Sequence, residues 1–300
     1  MLVGCLIVTL LLNACVLQPS QQTATSTSLP ATQSTTAAPS LTEVPQPTFT
    51  PTSLPTIKIT PTAAEAPICT ETKGTLIASE FESQLLGKTF NFQTYLPACY
   101  GADPEQRYPV VYLLHGLYTN ESQWDLIGLA DAMDAFVQQN DIPFIVVMPR
   151  VPDSDAAAKF PIHQVIPEEL VSHIDQNYPT LADRNHRAIG GVSRGASLSL
   201  RIGYDRRDLF GKIGMHSLPM LVDESTSYAK ALGKLDNTER PLLFLDSGNN
   251  DRDLAVARYF DLELTKLAIP HTWYMFNGYH EEAYWSEHLP IYLEWYAQGW

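Results

Sequence analysis

The stretch Arg187-Ala-Ile-Gly-Gly-Val-Ser-Arg-Gly-Ala-Ser-Leu-Ser-Leu-Arg-Ile-Gly-Tyr204 decides how the rest of the chain is read. At its centre lies Gly191-Val192-Ser193-Arg194-Gly195, a G-x-S-x-G pattern. A short apolar run precedes it, and Ala196 to Tyr204 can form a helix. In that context the pattern predicts a tight strand-to-helix turn with the Ser193 hydroxyl at its tip. The flanking glycines fit because a Cβ there would collide with the neighbouring strand and helix. The helix N-terminus behind the serine offers a positive dipole end to developing negative charge. The competing reading is a plain glycine-rich turn.

Outward from this turn the chain alternates between two kinds of segment. Tyr108-Pro-Val-Val-Tyr-Leu-Leu-His-Gly116 and Ile142 to Pro149 are continuous apolar runs, the mark of strands buried on both faces. Lys212 to His216, Pro241 to Leu245 and His271 to Phe276 read the same way. Helical spacing covers Asn120 to Gln139, with Asn120 as N-cap, and also Ile166 to Tyr178 and Asp253 to Lys266. Glu282 to Ala297 predicts a closing helix interrupted near Pro290. Such alternation predicts an α/β fold: a mostly parallel central sheet with helices on both faces. Ligands of such sheets sit at the carboxyl ends of the strands. Gly74 to Glu82 and Lys88 to Leu96 add an N-terminal antiparallel hairpin turning around Gln84 to Gly87. Cys69 and Cys99 flank its open end and are expected to form a disulfide, with a bulge correcting the register.

A serine hydroxyl needs a base to take its proton and a third group to orient that base. After Ser193 the histidines are His216, His271, His280 and His288. His280 falls in a loop after the last strand, where it can reach over the serine. His271 lies at the wrong end of its strand and His288 on the closing helix, whereas His216 is placed to line a pocket. For the acid, Leu245-Asp-Ser-Gly-Asn-Asn-Asp-Arg-Asp253 offers three aspartates. Asp246 is suited to capping the turn and Asp253 to an N-cap, which leaves Asp251 as the favoured partner of His280. The oxyanion donors expected are the backbone N–H groups of Arg194 and Leu117. The Arg194 side chain is expected to pair with an acidic neighbour, and His115 to shape its turn. Tyr118, Trp124, His216 and Tyr279 are the candidate substrate-pocket residues.

Residues 1–15 form an apolar run too short to span a bilayer, ending in Leu12-Asn13-Ala14-Cys15. That ending resembles a bacterial lipobox, which implies a lipid on Cys15 and a membrane-anchored or secreted protein outside the cytoplasm. It departs from the pattern in having no Lys or Arg before the apolar run. Residues 16–67 are rich in Pro, Ser and Thr and predict a disordered tether with a reach on the order of 40 Å. Residues 68–300 then form the folded domain. A net charge of −14 disfavours nucleic acid and anionic lipid surfaces as partners. No metal or other cofactor is expected: His280 lacks a second histidine at helical spacing, and there is no Cys-x-x-Cys.

Taken together, Tyr108 to Gly116, Arg187 to Gly195, Gly248-Asn-Asn-Asp251 and Gly278-Tyr-His280 with Tyr284-Trp285 resemble the putative esterase (esterase D-like) family of α/β hydrolases. The resemblance runs from Gly74 to Trp300. It implies the α/β-hydrolase fold, a Ser193–Asp251–His280 triad, an oxyanion hole from Leu117 and Arg194, and a tryptophan such as Trp124 after the His-Gly loop. It implies an esterase acting on small-molecule or polysaccharide-linked esters, feruloyl, acetyl or other short-chain ones among them. Arg194-Gly195-Ala196 departs from the Met-Gly-Gly of many members, which leaves the triad untouched and implies a slightly narrower acyl pocket. Two rivals use the same fold: acyl transfer to a sugar alcohol, and a non-catalytic binding module.

Overall fold

The computed structural model describes residues 69–152 and 161–300. The expected lipidation at Cys15 and the tether 16–67 lie outside them.

Eight strands form one sheet in the order β1-β2-β4-β3-β5-β6-β7-β8. β1 (Thr75–Ser83) and β2 (Lys88–Leu96) make the expected hairpin, and β2 runs antiparallel to β4 (Ile145–Pro149). β3 (Val110–Leu114), β4, β5 (Arg187–Val192), β6 (Lys212–His216), β7 (Leu242–Gly248) and β8 (Thr272–Phe276) are mutually parallel. The chain has the α/β-hydrolase fold. The hairpin needs no bulge: its register runs unbroken from Thr75↔Leu96 to Ser83↔Lys88. Beyond the ladder the backbone turns back at Cys99, whose φ is 61°, and the Cys69–Cys99 disulfide closes with a Cα–Cα distance of 5.7 Å.

Buried strands have two inward faces, and the period of two divides them cleanly. On β3, Val110, Tyr112 and Leu114 join one core while Val111 and Leu113 join the other. The first core is covered by four helices. These are α3 (162–177, with a π-helical stretch at Val165–Leu170), α4 (Arg194–Asp205), α5 (Val222–Gly233) and α6 (Leu254–Lys266). The second core lies under α1 (Gln123–Leu126), α2 (Leu129–Asn140) and α7 (Glu282–Ala297).

Local chemistry explains the departures from expectation. The single helix expected over 120–139 is two, because Gly128 turns the chain at a φ of 96°. The π-helical stretch in α3 contains Pro167, which has no N–H for the regular ladder. α5 was not foreseen; its sequence VDESTSYAKALG carries only a thin apolar stripe. α7 passes through Pro290 without a break. A helix-interior proline costs about 3 kcal/mol, whereas each large apolar side chain buried contributes about 1.5–3 kcal/mol. Leu289, Tyr292, Leu293, Trp295 and Tyr296 are all buried around it, so packing prevails.

Candidate active site

β5 delivers Ser193 to the carboxyl edge of the sheet at φ 54° and ψ −125°, a conformation held by its surroundings. A Cβ on Gly195 would lie 2.2 Å from the Leu114 carbonyl oxygen, and one on Gly191 2.6 Å from the Gly195 backbone. Strand, turn and helix therefore approach closely only because both positions lack side chains.

Two other strand ends bring the partners. The loop after β8 carries His280, whose Nε2 is 2.8 Å from Ser193 Oγ. The loop after β7 carries Asp251, with oxygens 2.9 and 3.1 Å from His280 Nδ1. Asp251 is buried. Burial pushes its carboxyl up, but the hydrogen bonds with His280 and the Asp253 N–H outweigh this and hold it below its ordinary value. A carboxylate so held keeps the imidazole proton on Nδ1 and turns Nε2 toward the hydroxyl.

The other aspartates have different duties. Asp246 does not cap a turn. It is fully buried, accepting hydrogen bonds from Tyr284 and Tyr292 at 2.7 Å and lying 2.8 Å from His216 Nδ1. Asp253 precedes α6 without a side-chain capping bond, its carboxylate 3.4 Å from His280 Nδ1. The ligand atoms of Asp251, Asp253 and His280 lie within 4.8 Å of one another, close enough for a metal ion. Both His280 nitrogens already face Asp251 and Ser193, so an ion there would displace one of these contacts.

The segment after β3 is held from several sides. The Gly116 carbonyl accepts from Thr119 Oγ1 at 3.0 Å and from Arg194 Nη2 at 3.5 Å, and His115 Nδ1 lies 2.8 Å away. The Gly116 N–H donates to Gln123 Oε1 at 2.7 Å, and Gln123 Nε2 donates to Glu282 at 3.2 Å. The Gly116 carbonyl and the Leu117 N–H belong to one planar trans peptide, so fixing the oxygen fixes the opposite direction of the N–H. His115 shapes this turn as expected, donating from Nδ1 while Nε2 accepts the Val151 N–H at 2.9 Å. Among the described residues, the Arg194 guanidinium donates to the carbonyls of Gly116, Val151 and Pro152.

An open cleft of about 600 Å³ lies over Ser193 and His280, lined in part by Leu117, Tyr118, Arg252, Glu281 and Trp285. Of the four candidate pocket residues, Tyr118 lines it, and Tyr279 is exposed beside His280 without lining it. Trp124 and His216 do not reach it. Trp124 is core, its indole donating to the Leu114 carbonyl at 3.2 Å. His216 is fully buried between Asp246 and Tyr296, with the Tyr292 ring centre 3.7 Å away and tilted by 31°. Neither the strand-end position of His216 nor the helical position of Trp124 fixes which way the side chain points, and both point into the sheet's second core. His271 sits at the opposite sheet end against Asp261, and His288 packs on Phe276 within α7. Gln123, which donates to Glu282, and Ser217, which accepts from the Trp285 indole, sit around the site but carry no motif. Only their long-range contacts reveal them.

The arrangement sets a hydroxyl against an imidazole that a carboxylate orients, the groups a nucleophilic attack needs. A family model described as "Putative esterase" matches residues 83–296. An endo-1,4-beta-xylanase/feruloyl esterase of Xylanibacter ruminicola is 35% identical over 164 residues, covering 51% of this chain and 23% of that protein. The chain thus spans less than a quarter of the length of the curated relatives it matches. Among solved structures, a ferulic acid esterase superposes with a TM-score of 0.68 at 22% identity, covering 75% of this chain and 98% of that one. A ferulic acid esterase from Anaeromyces mucronatus, solved in complex with ferulic acid, has a TM-score of 0.61 at 21% identity, covering 76% and 90%. At such identities the solved structures speak for the fold.

Proposed function

The chain belongs to the putative esterase family, whose model matches more than half of it, and on that premise we propose that it is an exported serine carboxylesterase. The observation that carries this reading is the continuous contact from Asp251 through His280 to Ser193, with a final step of 2.8 Å.

In this reading Ser193 Oγ attacks the ester carbonyl while His280 Nε2 takes its proton. The resulting oxyanion accepts hydrogen bonds from the N–H groups of Arg194 and Leu117, the latter aimed by the clamped Gly116 carbonyl. His280 returns the proton to the leaving alcohol, giving an acyl-enzyme on Ser193. A water molecule then repeats the sequence and releases the acid. Asp251 stays ionised and stabilises the imidazolium.

The substrates proposed are esters of hydroxycinnamic or short-chain acids, free or on polysaccharide. Support comes from the feruloyl esterase named in the Xylanibacter ruminicola relative and from an open cleft with Tyr118 at its rim. A lipid on Cys15 and the tether 16–67 would hold the domain 68–300 away from a membrane surface.

The test compares the chain with its Ser193→Ala variant on p-nitrophenyl and hydroxycinnamoyl esters. The expected loss of kcat is about a thousandfold or more, together with loss of labelling by a fluorophosphonate probe. Equal hydrolysis by both proteins would sink the proposal.

A further inference from the structure

The loops that carry Asp251 and His280 are joined before either of those residues is reached. β7 and β8 pair in parallel up to Gly248 and Phe276. Beyond that pair the Asn249 N–H donates to the Phe276 carbonyl at 2.7 Å, and the Asn250 N–H to the Gly278 carbonyl at 2.9 Å. A Cβ on Gly248 would overlap the Gly278 carbonyl, so the two loops run in contact. From the other side the buried Tyr284 ring closes on Gly278, where a Cβ would lie 2.6 Å from it. The Tyr284 hydroxyl is in turn held by Asp246 at 2.7 Å.

The next tie is made by a side chain. Asn249 Oδ1 accepts the Gly278 N–H at 3.1 Å and Asn250 Nδ2 at 2.7 Å. A backbone N–H only donates, so the atom facing Gly278 is the amide oxygen, and this fixes the orientation of the amide. Two residues further along each loop, the Asp251 carboxylate meets His280 Nδ1. Asn249–Gly278 and Asp251–His280 are consecutive rungs, each spanning 29 residues of sequence, in which side-chain oxygens take over from the backbone ladder. Gly278 stands at a φ of 151°, a conformation open to glycine and rarely to other residues. The peptide planes on either side of it are both held, the one before by the Asn249 side chain and the one after by the Asn250 N–H.

On the basis of the esterase reading above, we infer that Asn249 is a positioning residue of the triad: its amide oxygen fixes the Gly278 peptide and through it the direction from which His280 faces Ser193. Asn249 acts through Gly278 and not on the reacting atoms. Without its side chain the φ of Gly278 is released, and glycine has more freedom to use that release than any other residue. The imidazole two positions later then samples directions away from the hydroxyl, and the hydrogen bond to Ser193 is made for a smaller share of the time. Asn249 is exposed, so removing its side chain opens no cavity, and the backbone ties of residues 249 and 250 remain.

The experiment compares Asn249→Ala and Asn249→Asp with wild type in the full chain, beside Ser193→Ala, on a p-nitrophenyl ester at the plateau of the pH–rate profile. Asn249→Ala loses the acceptor, whereas Asn249→Asp keeps an oxygen facing the Gly278 N–H. In Asn249→Ala, kcat is expected to fall roughly fivefold, the size of one neutral hydrogen bond, with KM within about twofold. The rate of labelling by a fluorophosphonate probe depends on His280 activating Ser193 and is expected to fall by the same factor. Asn249→Asp is expected to restore both rates to within about twofold of wild type. Wild-type kcat in Asn249→Ala, a loss carried by KM, or an Asn249→Asp variant as slow as Asn249→Ala would each overturn the inference, while an inactive Ser193→Ala leaves the hydrolase reading standing. If Ser193→Ala retains full activity, the reading itself is lost.

Discussion

His115 occupies a place that suits only its uncharged form. Burial lowers its pKa to about 4, and the nearby Arg194 guanidinium works in the same direction against the hydrogen bond to Gly116. Geometry gives the same answer, since Nε2 is already an acceptor for the Val151 N–H. An unfolded histidine titrates near 6.5, as the same residue does without its surroundings. A depressed folded pKa means that the stability His115 contributes is complete above the unfolded value and is lost as pH falls toward the folded one. His173, also lowered by burial, adds to the same slope. The urea midpoint is therefore expected to drop between pH 6.5 and 4, and to drop less steeply in His115→Gln; parallel slopes would contradict this. The residue types at Ser193, His280 and Asp251 were readable because each follows a strand. Asp246 departs from expectation: its neighbours in sequence suit a turn, while its partners Tyr284 and Tyr292 lie on α7.

At the scale of elements, local and tertiary preferences disagree most openly in α7. Sequence alone argues for an interruption at Pro290, and the helix continues because its buried face is worth more than one lost backbone bond. Residue 290 itself is exposed, so the penalty is not offset by contacts of the proline ring. Pro290→Ala is expected to raise stability by about 1–2 kcal/mol, the helix-interior gain reduced by the entropy alanine restores to the unfolded chain. Thermal unfolding of the full chain measures it, and a lower midpoint would mean the ring has a role of its own. Strand positions were legible throughout because runs such as VVYLL and IVVMP have no other home than the middle of a sheet. α5 was not legible, since polar residues dominate it and its contacts to α6 and the sheet supply what the pattern lacks.

Across the whole molecule, the C-terminus is tied back to the centre of the sheet by Lys212. Its ammonium group donates to the carbonyls of Tyr296 and Gln298 and lies 4.1 Å from the centre of the Trp300 ring. Burial lowers its pKa to about 8 from an ordinary 10.5. Between those values the unfolded chain binds more protons than the folded one, so stability rises with pH through that window. The buried tyrosines Tyr284, Tyr292 and Tyr296 act in the opposite sense: their raised pKa values mean that only the unfolded chain ionises above about 10. The melting temperature is therefore expected to climb from pH 8 toward pH 10 and to fall beyond it. Lys212→Met is expected to lack the climb, and a flat wild-type curve over that range would refute the assignment.

By itself the sequence determined the class of fold, the place of the tight turn, and the rim where its serine would meet a histidine and an aspartate. These follow from short-range physics: apolar runs must be buried, glycines alone allow close approach, and chain order assigns loops to sheet ends. Only the tertiary structure decided that Asp246 faces Tyr284 and Tyr292 instead of a turn, that Trp124 and His216 turn inward, and that Gln123 reaches Glu282 beside the site. Those outcomes depend on side-chain direction and on partners dozens of residues away, which emerge only when the strands are laid side by side.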